Sequence, residues 1–353
     1  MLEWLIRPVS KTGKPQKGFE GSNPSLSARS RETADRSSRM KDENPMDAVI
    51  ELQHVSKIFG KFPAVDDLSF RVPRGIAFGL LGPNGAGKTT TIRMIMNIMA
   101  PDFGEIRVLG SPMSRETQNR IGYLPEERGL YRKMKVADHL YFLAAIKEVP
   151  KDKARERIGS WVDKMELRPW LNKKVDELSK GMQQKVQFIA TIVHDPELLI
   201  LDEPFSGLDP INTALMKEYF QEFRARGKTI VFSTHVLEQA EKLCDEICLL
   251  ARSKKILEGP LRDLKRQFSR NLVHLSVDAD PGQVAGLPGV VSCQTVNGGY
   301  VVALNPDTDR REFLRQTLER YPVSAFSEKE PDLEEIYLEA VRVAGLEETR
   351  EIA

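Results

Sequence analysis

Apolar periodicity is absent from the first 45 residues beyond the opening few, and begins at "DAVIELQHVSKIF", where Val49, Leu52 and Val55 predict a strand. From about 48 to 260, short apolar runs alternate with segments of helical period. The runs "GIAFGLLG" (75–82) and "ELLILDEP" (197–204) are apolar at successive positions. Both of their faces are therefore buried, as in strands of a parallel sheet covered by helices on both sides. Between about 136 and 195 the pattern is wholly helical, in "VADHLYFLAAIKE", "DKARERIGSWVDKMEL" and "GMQQKVQFIATIVH". An all-helical insert in an α/β domain predicts a helical subdomain. After Gly259-Pro260 the pattern changes. Strands are expected at about 271–279, 289–296, 299–304 and 322–327, with helices near 281–286 and 308–320. That order is the β-α-β-β-α-β plan of ferredoxin-like domains. A last amphipathic segment, "PDLEEIYLEAVRVA", predicts a helix that closes this small domain. The fold class expected is α/β for residues 46–260, with an α+β accessory domain at 265–345 and a tail at 346–353.

Residues 1–45 are rich in Ser, Arg, Lys, Gly and Pro, a composition that cannot bury enough apolar surface to order itself. They are expected to be disordered, with Met46 or Met40 as the natural start. Sequencing the native N-terminus checks this, and a start before Met40 contradicts it. Lys+Arg number 52 against 51 Asp+Glu, a net charge of +1, so no global field draws the chain to nucleic acid or to an anionic membrane. Cys244, Cys248 and Cys293 form no CxxC pair and are read as reduced thiols of a cytosolic protein. No window reaches the roughly 18 to 20 apolar residues of a membrane helix, and the first residues lack an apolar signal core. The chain is expected to be soluble.

The chemistry begins at "GLLGPNGAGKTTTIRMIM" (79–96), a strand, a glycine-rich loop and a helix carrying GxxxxGK[ST]. Gly82, Pro83, Asn84, Gly85, Ala86 and Gly87 form the loop, whose N–H groups can converge on phosphate oxygens, helped by the positive end of the helix. Lys88 is suited to the β- and γ-phosphates and Thr89 to Mg²⁺, with Thr90 completing the first turn. A chance glycine loop is the competing reading, and the flanking strand and helix disfavour it. Asp202 ends a buried apolar strand and is suited to hold Mg²⁺; Glu203 beside it is suited to polarise water for attack on the γ-phosphate. A helix N-cap is the competing reading of two acids here, and the phosphate loop upstream disfavours it.

Taken together these residues resemble the nucleotide-binding domain of the ABC ATPase family. The resemblance runs from about 48 to 260 and rests on "GPNGAGKTT", "LSKGMQQK" (178–185), "LLILDE", "SGLD" (206–209) and "STHVLEQAE" in the family's order. It implies a P-loop core sheet with a helical subdomain, and ATP with Mg²⁺ as the cofactors. It also implies a head-to-tail dimer in which the signature Ser179, Lys180, Gly181 and Met182 meets the ATP of the other molecule. Asp209 would lie at the dimer seam and His235 would sense the γ-phosphate; His54, His139, His194 and His274 lack such context and are read as structural. Phe59 is the residue expected to stack on adenine, with Phe62 as runner-up. Three positions depart from the family: Glu126 in "IGYLPEERGLY" stands where a Gln that contacts Mg²⁺ and the attacking water is usual, and its carboxylate could still ligate the metal; Lys180 replaces a glycine, and Met182 replaces a glutamine.

One phosphate loop and a short helical insert argue against translation-factor and DNA-repair members. "YLPEERGLY", "LSKGMQQK" and "PDLEEIYLEAV" look like ATPases of two-component exporters of the sodium and drug type. The partners implied are membrane permease subunits on separate chains and a second ATPase subunit, identical or related, at the cytoplasmic face of the membrane, with no nucleic acid. A stand-alone regulatory ATPase and a binding module that closes on ATP without turnover are the rival readings.

Overall fold

The computed structural model describes residues 48–127, 129–269, 272–305 and 307–346. The expectations for residues 1–45, for Met40 and Met46 as starts, and for 347–353 of the tail lie outside the described residues.

Two sheets build the first domain. β1 (Ala48–Phe59), β2 (Phe62–Pro73) and β4 (Phe103–Val108) form an antiparallel sheet in the order β2-β1-β4. The second sheet holds β3 (Ala77–Leu81), β5 (Ile121–Leu124), β6 (Leu198–Asp202), β7 (Thr229–Thr234), β8 (Glu246–Ala251) and β9 (Lys254–Pro260). Its order is β5-β6-β7-β3-β8-β9, parallel except for the β8–β9 edge pair. Every residue of β3, β6 and β7 is buried, which is why these strands read as unbroken apolar runs. The sequence pattern did not separate the antiparallel sheet from the parallel one, although β1 and β2 alternate buried and exposed positions where β3, β6 and β7 are buried throughout.

Helix α1 (Lys88–Ile95) follows β3, and α2 (Arg115–Asn119) precedes β5. The helical subdomain is α3 (Val136–Ile146), α4 (Lys151–Lys164) and α5 (Lys180–Ile192), joined by two short 3-10 turns. Val136, Leu140, Ile158, Val162, Val186 and Ile189 bury its core, which is continuous with α6 (Pro210–Ala225) through stacking of Trp161 on Phe223. Helices α7 (Leu237–Leu243) and α8 (Leu261–Phe268) flank β8 and β9.

The C-terminal sheet contains β10 (Leu272–Val277), β11 (Val290–Val296), β12 (Gly299–Leu304) and β13 (Val323–Glu328) in the order β11-β12-β10-β13. With α9 (Pro281–Ala285) and α10 (Arg310–Arg320) the element order is β-α-β-β-α-β. Val273, Leu275, Val302 and Phe313 centre its separate core. Helix α11 (Leu333–Val343) departs from the expected role of closing this domain. Its buried residues Leu333 and Ile336 pack instead with Leu81, Ala240 and Ile247 of the first domain and with Leu261 and Leu264 of α8. Among the described residues no helix is long and apolar enough to cross a membrane.

Candidate active site

Three parallel strands end side by side and deliver the site. In register, Leu81 of β3 lies beside Thr234 of β7, and Asp202 of β6 lies beside Ser233. The phosphate loop, the acidic pair and His235 thus leave neighbouring strands at their carboxyl ends, where open α/β sheets bind ligands.

Backbone geometry explains the two decisive glycines. Gly87 has φ 102 and caps α1 without any side-chain hydrogen bond, and a Cβ there would stand 2.4 Å from the Ala64 carbonyl oxygen. A Cβ on Gly82 would stand 2.2 Å from the Leu250 carbonyl. The chain can follow this path only with hydrogen at those positions. Pro83, Asn84 and Gly85 are exposed at the mouth of the loop, whereas Ala86, Gly87 and Lys88 are buried and Thr89 and Thr90 half-buried. The Lys88 ammonium donates to the carbonyls of Gly82 (2.8 Å) and Pro83 (3.1 Å) and lies 3.5 Å from Glu203 Oε1.

Asp202 is 1% exposed. Its Oδ1 accepts from Ser233 Oγ at 2.6 Å and from Thr89 Oγ1 at 3.2 Å, while Oδ2 is buried with no hydrogen-bond partner. Burial pushes its carboxyl above the ordinary range, against the pull of the Ser233 and Thr89 hydroxyls. An anionic oxygen with no donor, beside a threonine hydroxyl, is the donor set of a hard divalent cation such as Mg²⁺. Glu203 has φ 47, a strained conformation for a non-glycine residue of the sort that functional sites retain. Its N–H donates to Ser233 Oγ at 3.0 Å and its Oε1 lies 3.0 Å from His235 Nδ1. Ser233 thereby joins both acids, a role that sequence reading missed. Its place at a strand end, two residues before His235, was the signal that could have found it.

The signature opens α5 as an N-cap. Ser179 Oγ accepts the N–H of Met182 at 3.3 Å, and Ser179 and Lys180 are exposed. Met182 is half-buried against the helical core, so at this position an apolar contact stands where the family has an amide. Asp209 caps α6, its Oδ1 accepting the N–H of Asn212 at 2.9 Å and its Oδ2 the side-chain amide at 2.6 Å, which holds its carboxyl below the usual range. A Cβ on Gly181 would stand 3.0 Å from Asn212 Nδ2, so the signature and the loop around Asp209 pack side by side within one molecule.

The glutamines that interrupt the apolar face of α5 also have partners. Gln184 donates to the Pro204 carbonyl (3.3 Å), next to Glu203, and Gln187 to the Pro125 carbonyl (3.2 Å), next to Glu126. The signature helix is thus tied to both loops. Glu126 itself is exposed. Phe59 and Phe62 face each other at the tip of the β1–β2 hairpin, 50% and 60% exposed, with Lys57 Nζ 5.8 Å from the Phe59 ring centre. Of the other histidines, His139 and His194 are inward and burial lowers each to about 4, whereas His54 is exposed and pairs with Asp67 at 2.8 Å. Burial raises the thiols of Cys244 and Cys248 far above their ordinary range, as inert packing groups require.

Comparison with known proteins agrees with this geometry. Residues 65–206 match the family model described as ABC transporter, and residues 259–341 match that of the ATP-binding protein DrrA1-3-like C-terminal domain. The chain is 41% identical to the ABC transporter ATP-binding protein YhaQ of Bacillus subtilis over 83% of this chain and 98% of that one. It is 34% identical to the Nod factor export ATP-binding protein I of Rhizobium etli over 88% of this chain and 97% of that one. A solved ATP-binding subunit of an ABC transporter superposes with a TM-score of 0.59 at 32% identity, covering 62% of this chain and 93% of that one. The chain belongs to the ATP-binding subunits of ABC transporters, ATPases that work with membrane permease subunits.

Proposed function

We propose that this subunit powers an exporter by closing head to tail with a second ATPase subunit around two Mg²⁺-bound ATP molecules. The convergence of Lys88, Asp202, Glu203 and His235 at the ends of β3, β6 and β7 carries the reading. The loop N–H groups and Lys88 bind and orient the β- and γ-phosphates. Thr89 and Asp202 would hold Mg²⁺, which would neutralise phosphate charge. Glu203 orients and deprotonates the attacking water, and His235, through its contact with Glu203, keeps that carboxylate in place and registers departure of the phosphate. Ser179 and the Gly181 N–H, at an exposed helix start, meet the second molecule's γ-phosphate. Phe59 stacks on adenine, and Glu126 lies in the loop that meets the permease. Export is supported by the name of the Rhizobium etli relative, and a peripheral place at the membrane by the family.

Light scattering of the Glu203→Gln variant with ATP and Mg²⁺ tests the closed state. A dimer that reverts to monomer when ATP is removed is expected; a monomer under both conditions refutes head-to-tail closure.

A further inference from the structure

Helix α11 follows the accessory domain in sequence but buries its apolar face on the ATPase domain. Two of its neighbours abut the site. Leu81 is the residue before Gly82 of the phosphate loop, and Ala240 lies on α7, which starts two residues after His235. Beside Ala240, the Glu241 carboxylate makes a bridge: Oε1 accepts from Lys265 Nζ on α8 at 2.6 Å, and Oε2 accepts from the Leu333 N–H, the first of α11, at 3.0 Å. The opening N–H groups of a helix have no partners within it. In α11, Asp332 takes that of Glu335 at 2.8 Å, and Glu241 takes that of Leu333 from another element. The bond is charge-assisted and lies at the positive end of a helix.

Helix α7 depends on such support. It has seven residues and no side-chain cap at its start, where Val236 is extended. A helix of this length is unstable alone, so its direction is set by what it packs on. That direction fixes how the backbone leaves His235.

We infer that Glu241 is a positioning residue for His235, held in place by the N-terminus of α11. Helix α11 is a strut: when its N-terminus holds Glu241, α7 keeps the His235 imidazole on Glu203, and when that contact is lost the imidazole drifts from the carboxylate while the nucleotide still binds.

Steady-state hydrolysis by the full-length chain tests this. Glu241→Ala is expected to lower kcat about tenfold, roughly 1.4 kcal/mol of barrier, with KM for ATP within about twofold of the parent. Glu241→Gln, which keeps a carbonyl acceptor for the Leu333 N–H, recovers most of the rate. In a His235→Ala background, Glu241→Ala changes kcat by less than about twofold, because both changes remove one effect. Phe313→Leu, in the accessory core and 2% exposed, lowers the melting temperature with kcat unchanged. If Glu241→Ala does not fold, Lys265→Met replaces it; it removes only the ion pair, and about a threefold loss of kcat that vanishes in His235→Ala is expected. The inference is overturned if Glu241→Ala leaves kcat unchanged, if its effect persists in full without His235, or if Phe313→Leu slows hydrolysis as much.

Discussion

Replacing Asp202 by Asn should make the metal-free protein more stable and nearly inactive. The folded carboxyl has a raised pKa because it is buried, so above the ordinary carboxylate range the folded chain holds a proton that the unfolded chain has lost. Stability therefore falls as pH rises through the folded pKa, and at neutral pH the ionised group is a net cost. The cost centres on Oδ2, which is buried without a donor. A buried unsatisfied polar atom costs about 1–3 kcal/mol. Asn keeps an acceptor for Ser233 and Thr89 and removes the buried negative charge, so about 1–2 kcal/mol is recovered. At about 2–4 °C per kcal/mol for a domain of this size, the variant in EDTA should melt about 2–8 °C above the parent. Hydrolysis moves the other way. Losing a metal contact worth about 3–4 kcal/mol lowers kcat some 10²- to 10³-fold. Thermal melts in EDTA and phosphate release with Mg²⁺ and ATP read the two effects. A variant that melts below the parent, or that keeps its rate within tenfold, refutes the assignment of Asp202 to the metal.

Two further changes follow from geometry. Gly87→Ala places a Cβ 2.4 Å from the Ala64 carbonyl at φ 102, so it should cost about 1–2 kcal/mol from backbone conformation alone and push the β1–β2 hairpin off the loop. Binding of a fluorescent ATP analogue should weaken more than about tenfold; unchanged affinity contradicts the cradle. His139 is fully buried with both ring nitrogens unpartnered, and burial lowers its pKa from 6.5 to about 4. Between those values the unfolded chain takes up a proton that the folded chain does not, so stability falls as pH drops through the window. His139→Leu removes that dependence, and its advantage over the parent should grow by about 2 kcal/mol between pH 7.5 and pH 5 in urea unfolding. A gap that does not change with pH would falsify the reading of His139.

The fold was legible where period and burial coincide. Strands β3 and β6 are buried on both faces and show it in the letters "AFGLL" and "LLILD"; helices α3, α4 and α5 show their apolar stripes. Ser179 and Asp209 cap α5 and α6, a local role that their reading as signature and dimer-seam residues did not include. What was not legible depends on pairing between distant segments. Nothing local says that β1 joins β4 rather than β3, or that Ser233 lies opposite Asp202. The stripe of α11 announced a helix with one buried face, but not which of two cores would receive it. The glutamines of α5 looked like interruptions because their partners, the carbonyls of Pro125 and Pro204, come from other elements.

Affinity purification of tagged Glu203→Gln with ATP, from detergent-solubilised native membranes, followed by mass spectrometry, bears most directly on the transporter reading. Recovery of a polytopic membrane protein in near-equal amount is the predicted result. A soluble homodimer, or a soluble partner alone, contradicts it.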